Sequence, residues 1–280
     1  MRRKLWLDCL TGSDSNSVKN QVQRMIWNAA TFRVINEARR IAPTDKDGNP
    51  KLSGLEHEMI NNGFFAYQAI AVRRLGDSSR LEGPRGVYSL AGLLKDLRAH
   101  AHLFTRKNII ETEREMPSYP EFYIDVRHEQ IDEMSGAKQP QRADQDTIQV
   151  RIFDCLLARL KKASKDLSQQ VDQYLAHAAT PESRAGRKTD DLSITLHHHY
   201  DAHRVLCEIV NFVSIWLLND THLGFLAIPQ FDQFQYMDSP LVETKNIGSL
   251  RAIWDGFKEE INTWGNWGWS GLKSELESSV

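Results

Sequence analysis

The sequence predicts an all-α fold, a bundle of about five to seven helices, and three observations carry it. Apolar residues recur at i, i+3, i+4 and i+7 through most of the chain, and period-two alternation appears nowhere at length. The 9 Pro and most of the 16 Gly of the 280 residues fall between the periodic stretches. At 41% hydrophobic and 26% charged residues, the chain can bury a sizeable core and fits no collagen-like, disordered or disulfide-built class.

Ser17 precedes the first amphipathic stretch, Val18–Ala42, where Val22, Ile26, Ala29, Ile35 and Ala38 share a face until Pro43 ends it. Residues 44–54 contain Gly48, Pro50 and Gly54 and read as a loop. Asp45, Asp47, Asn49, Ser53 and Glu56 fall at calcium-loop positions, but Pro50 stands where the sharp turn needs glycine, so no metal is expected there. A second helix runs from about Leu55 to Asp77. Ser89 opens a third, through Leu103, with Leu90, Leu93, Leu94, Leu97 and Ala101 on one side, and a short helix follows over Thr105–Arg114.

Pro117, Pro120 and the polar run Ser135–Asp144 predict an irregular connection. From Gln145 to Ala179 no Gly or Pro interrupts the pattern, which predicts one long helix. Another, from Leu192 to about Asn219 and capped by Asp190 or Asp191, is apolar nearly all round over Val205–Leu217 and is expected at the centre. Residues 1–222 therefore form the bundle. Residues 223–280 add an aromatic loop, a helix near Ile247–Trp264 and a Trp-rich end (Trp264, Trp267, Trp269) expected to pack back on it.

Net charge is −2, but residues 1–115 hold 19 Lys/Arg against 13 Asp/Glu, leaving 16 against 24 for the rest. That asymmetry points a basic face toward a nucleic acid and an acidic one toward a protein partner. No apolar run has the roughly 18 to 20 residues of a membrane span, and the start of the chain lacks an apolar leader core. A cytoplasmic protein without membrane contact is expected. Cys9, Cys155 and Cys207 form no CxxC pair, which fits reduced thiols. Walker, Rossmann, nucleophile-elbow and kinase motifs are absent, and no cofactor is expected.

Three passages carry a resemblance: Tyr67-Gln-Ala-Ile-Ala-Val-Arg-Arg-Leu-Gly-Asp77, Ser89-Leu-Ala-Gly-Leu-Leu-Lys-Asp-Leu-Arg98 and Asp172-Gln-Tyr-Leu-Ala-His177. Together they resemble the HEPN superfamily of helical bundles, and within it the AbiU-type abortive-infection proteins, over about Val18–Asn219. The resemblance implies an antiviral or toxin-type protein acting on RNA, commonly a metal-independent endoribonuclease working as a homodimer, in a defence or toxin–antitoxin system with a protein partner. In that chemistry the RNA's own 2′-hydroxyl attacks the adjacent phosphate, a His serves as acid or base, and an Arg holds the phosphate. The family's Arg, about four to six residues before the His, is missing: Gln170, Val171 and Asp172 stand there. The same departure leaves a second expectation open, a non-catalytic HEPN-like scaffold or interaction subunit.

The candidate catalytic residues are accordingly His177, Asp172 and Lys165, the nearest upstream cation. Candidate RNA or phosphate contacts are Arg73 and Arg74, which pair in sequence with Asp77 as a buried ion-pair set, and the basic cluster Arg98, His102, Arg106 and Lys107, expected along one side of the third helix and its extension. His197, His198, His199 and His203 crowd one helix start with Asp201. His199 and His203 are spaced to share a metal, but the expected reading is solvated or capping histidines and no metal.

Overall fold

The computed structural model describes residues 2–48, 51, 54–114, 121–175, 195–220 and, beyond these, 224–226, 230–232, 234, 235, 237, 239 and 243–264. Among the described residues there are nine α-helices and no strand: α1 (Arg2–Thr11), α2 (Val18–Arg40), α3 (Gly54–Leu75), α4 (Leu90–Ala99), α5 (Arg106–Arg114), α6 (Glu121–Ser135), α7 (Val150–Gln170), α8 (Leu196–Phe212) and α9 (Ile247–Trp264). The all-α bundle is as expected. The two helices beyond the expected seven are α1 and α6.

The chain divides into two compact units, Met1–Ala227 and Ile228–Val280. In the first, α7 packs against α3, α4 and α8, while α2 packs on α3 and α8 and α1 on α2 and α4. Leu90, Leu93, Leu94 and Leu97 of α4, Phe153, Leu160 and Leu167 of α7, and Leu206, Ile209 and Val210 of α8 are buried in one continuous core. Burying each such side chain contributes about 1.5–3 kcal/mol before entropy is counted, which is why amphipathic helices hold here without strong intrinsic propensity. Ser89 caps α4 as its sequence predicts: the hydroxyl accepts from Gly92 N at 3.1 Å and donates to the Asp77 carbonyl at 2.6 Å.

The expected long helix is shorter. α7 begins at Val150, and Val171–Leu175 forms a π turn; residues 176–179 lie outside the described residues. α8 likewise passes into a π turn at Val213–Leu217. Its cap is not Asp190 or Asp191, which lie outside the described residues. At Thr195 the backbone N–H donates to His198 Nδ1 at 3.0 Å.

In the second unit α9 exposes Ile247, Leu250, Ile253 and Trp254. The Trp267 and Trp269 part of the expected packing lies outside the described residues, as does the side chain of Trp264. Among the described residues, no helix is long and apolar enough to cross a membrane.

Candidate functional site

Where the C-terminal end of α3 meets α4 and α7, a groove of about 730 Å³ opens. Gly76 lies against α7 here: a Cβ there would make an ordinary contact, 3.4 Å from the Ser164 hydroxyl. Lys95 comes from α4, while Lys161, Lys165, Ser168 and Asp172 come from α7 and its π turn. Positions 161, 164, 165, 168 and 172 recur as one helix face, so a single stripe of α7 lines the floor. Among the described residues, none of the three lysines is in an ion pair. Exposed ammonium groups on flexible stems, held at one groove by two helices, are suited to a chain of phosphates.

Two of the three candidate catalytic residues, Lys165 and Asp172, are thus brought together. The π turn adds a residue to the helical turn at Asp172, whose carboxylate meets Arg73 Nε at 3.2 Å. Arg73 also faces Asp77 at 3.6 Å, as its spacing predicts, but the set is exposed rather than buried: the side chain of Arg73 keeps 43% of its surface in solvent and that of Asp77 28%. The Ser79 hydroxyl and backbone N–H, ahead of Arg73, hold Asp77 below the usual carboxylate range. His177, the third candidate, lies outside the described residues.

The expected arginine contacts lead elsewhere. Arg74 donates to Asn16 Oδ1 at 3.3 Å, and Arg98 donates to Asp154 Oδ1 at 2.5 Å. Lys107 faces Glu111 at 3.8 Å; His102 is exposed, with its ring 6.1 Å from that of His100.

Arg106 does not belong to an exposed stripe. It is buried, 4% exposed, and its guanidinium donates to Asp146 at 2.8 and 3.0 Å and to Asp132 at 2.6 Å. The reason is backbone: Arg106 N donates to Asp146 O at 2.8 Å, Lys107 N to Asp144 O at 3.0 Å and Ile148 N to Phe104 O at 3.1 Å. These bonds lay the connection after α6 over the start of α5. A charge taken out of water at such a place needs its partners, so this arginine is spent on the fold.

Sequence reasoning missed Lys95 and Lys161. The signal for Lys161 was present in the i, i+4 repeat Lys161–Lys165 with Ser164–Ser168; nothing local distinguishes Lys95.

The histidine-rich start of α8 divides in two. His197 pairs with Asp201 at 3.0 Å and His198 caps, both as expected of solvated or capping rings. His199 and His203 are instead buried, at 0% and 3% exposure, against Phe64, Phe65 and Tyr200, and neither ring nitrogen of either has a hydrogen-bond partner among the described residues. Burial, ahead of the neighbouring His198 for the first and of His199 and Arg33 for the second, lowers His199 to about 4 and His203 to about 3, so both are neutral at pH 7. Among the described residues, no three His, Cys, Asp or Glu side chains gather so as to hold a metal ion.

No family model, curated protein or solved structure matches the chain.

Proposed function

We propose that this protein acts on RNA, as its HEPN resemblance implies, and that it holds the sugar–phosphate backbone in the α3–α4–α7 groove. The observation that carries this reading is the convergence of Lys95, Lys161 and Lys165, without ion-pair partners among the described residues, on one groove with Lys165 and Asp172 shortly before His177 in the sequence. Phosphate contacts of this kind give affinity without base preference and weaken steeply with salt.

For cleavage, the 2′-hydroxyl would give its proton to a base and form the new P–O bond, while the bond to the 5′-oxygen breaks and that oxygen receives a proton. His177 is the imidazole for one of these transfers, and a second copy of the chain supplies the other. The lysines would stabilise the extra negative charge of the pentacoordinate phosphorus.

A second reading, RNA binding by a non-catalytic subunit, draws on a specific observation: Arg106 is buried against Asp132 and Asp146 and Arg73 faces Asp172 and Asp77, so neither of these two arginines is free to clamp a phosphate, while Arg74 and Arg98 each make one contact within the protein. One experiment separates the two. Purified protein is incubated with a mixed RNA pool in EDTA, and binding and cutting are followed together. Cutting that His177→Ala abolishes supports the nuclease; tight binding without cutting supports the subunit. Failure of the wild type to bind any RNA at low salt contradicts both.

A further inference from the structure

One side of α3 is buried in the bundle through Phe64, Gln68, Ala69, Val72 and Leu75; the opposite side is in solvent, yet it is not polar. Leu55 is 63% exposed and Met59 77%, Tyr67 and Ile70 are exposed as well, and a Cβ on Gly63 would meet nothing within 4 Å. Positions 55, 59, 63, 66 or 67, 70 and 74 follow one another by three or four residues, so they form one stripe along about 30 Å of helix. A surface helix ordinarily turns charged residues outward, and a continuous apolar stripe in water marks a docking face.

The stripe matches its own reversal. Counted inward from the two ends, Glu56 corresponds to Arg74, Met59 to Ile70 and Gly63 to Ala66, all about one centre near Phe64 and Phe65. Acid thus stands against base, large apolar against large apolar, and small against small. The end charges follow the same rule: Glu56 lies in the first turn of α3, Arg73 and Arg74 in the last. Arg73 faces Asp77 and Asp172, whereas Arg74 is in no ion pair among the described residues and donates to Asn16. A two-fold axis brings residue i of one copy to j of the other and j to i, so a face complementary to its own reversal fits a second copy of the chain.

We infer that the chain dimerises through α3, the two helices running antiparallel and crossing where Gly63 meets the partner's Ala66. The small residues let the backbones approach, Met59 packs on the partner's Ile70 on each side of the crossing, and Glu56 lies by the partner's Arg74. One helix face is smaller than the roughly 800 Å² per partner of a standard interface, so the dimer is reversible, with dissociation in the micromolar range. The dimer offers a place for the second copy invoked for cleavage but does not rest on that reading, because it forms without RNA.

The test is sedimentation velocity of the full chain, free of RNA, from about 1 to 100 µM, where the mass should pass from one chain to two. Met59→Glu/Ile70→Glu sets carboxylates opposite one another on both sides of the two-fold and should remain a single chain throughout, with an unchanged circular dichroism melt because both positions are exposed. Register is tested by charge: Glu56→Arg and Arg74→Glu should each weaken the dimer about tenfold, since the pair occurs twice, and the two together should restore it. A single chain at the highest concentration overturns the inference and leaves the stripe to a different protein. A dimer that survives Met59→Glu/Ile70→Glu overturns it by placing the interface elsewhere; if that variant does not fold, the charge exchange decides. Reversals without effect, or not undone by their combination, overturn the antiparallel pairing.

Discussion

Lys95, Lys161 and Lys165 stand exposed along the α3–α4–α7 groove without ion pairs among the described residues, whereas around α5 and α6 the arginines Arg106, Arg127 and Arg142 are each locked to carboxylates. At the second place Asp132 accepts from both Arg106 and Arg142, and Arg142, ahead of Arg106, holds its carboxyl below the usual range. The difference teaches that a cation's use is set by what its helix packs against. Lysines facing solvent on rigid helices remain available to a polyanion, while guanidiniums under a folded-over connection become structural links.

The sharpest break of this comparison is structural. Arg127→Ala leaves Glu113 buried without its ion pair and is expected to cost about 3–5 kcal/mol in urea unfolding, while Arg106→Ala takes the paired cation from Asp146 but leaves Asp132 with Arg142 and is expected to cost less. A loss below about 1 kcal/mol would mean that these pairs are surface-like.

Acid should act on another buried set. The folded values of His199 and His203 lie below that of an unfolded histidine, so the unfolded chain binds more protons between them, and stability rises with pH. Full stability is expected above about pH 6.5, falling by about 1.4 kcal/mol per pH unit per imidazole toward about 4 and 3. Thermal melts from pH 7 to 4.5, compared with His199→Phe/His203→Leu, read this directly: the double variant should lose most of the slope. An unchanged slope would assign the acid sensitivity to carboxylates instead.

On the groove side, replacing the three lysines by Gln should leave unfolding within about 0.5 kcal/mol of wild type. The salt dependence of RNA binding should flatten by about two units of log K against log salt, at about 0.7 per lost phosphate contact. The smallest effect is expected at Arg98→Gln, which removes only an exposed pair with Asp154: at most about 1 kcal/mol of stability, and no change in RNA affinity.

The helices α2, α3, α4 and α7 were legible from periodicity because their buried positions are mostly apolar; α5 was legible although Arg106 and Glu113 are among its buried positions, and α8 although His199 and His203 are among its own. α6 was not, and its pattern shows why. Ile124, Ile131 and Met134 face the core, but the position between Ile124 and Ile131 is Arg127, buried against Glu113. In α6 that charge on the apolar stripe, paired across to Glu113 of α5, interrupts the period that sequence reading relies on. In α1, likewise, only Trp6, Cys9 and Leu10 are buried, too few to mark a face amid Arg2, Arg3, Lys4 and Asp8.

The groove was half legible. Lys165 and Asp172 were named from their neighbourhood in the chain, while Lys95 joins them only through the packing of α4 on α7. Lys161 and Lys165 lie in the part of the sequence where acidic residues outnumber basic ones, so the charge asymmetry did not point to this groove. Arg106, in the densest basic cluster, is drawn inward by carboxylates 26 and 40 residues away, which no local pattern displays.

The most direct test of the account measures single-stranded RNA binding against salt for the wild type, for Lys95→Gln/Lys161→Gln/Lys165→Gln, and for Arg73→Gln/Arg74→Gln/Arg98→Gln. Loss of affinity and a flattened salt slope in the lysine variant, with the arginine variant close to wild type, is the predicted result. Loss in the arginine variant with the lysine variant unchanged would contradict it.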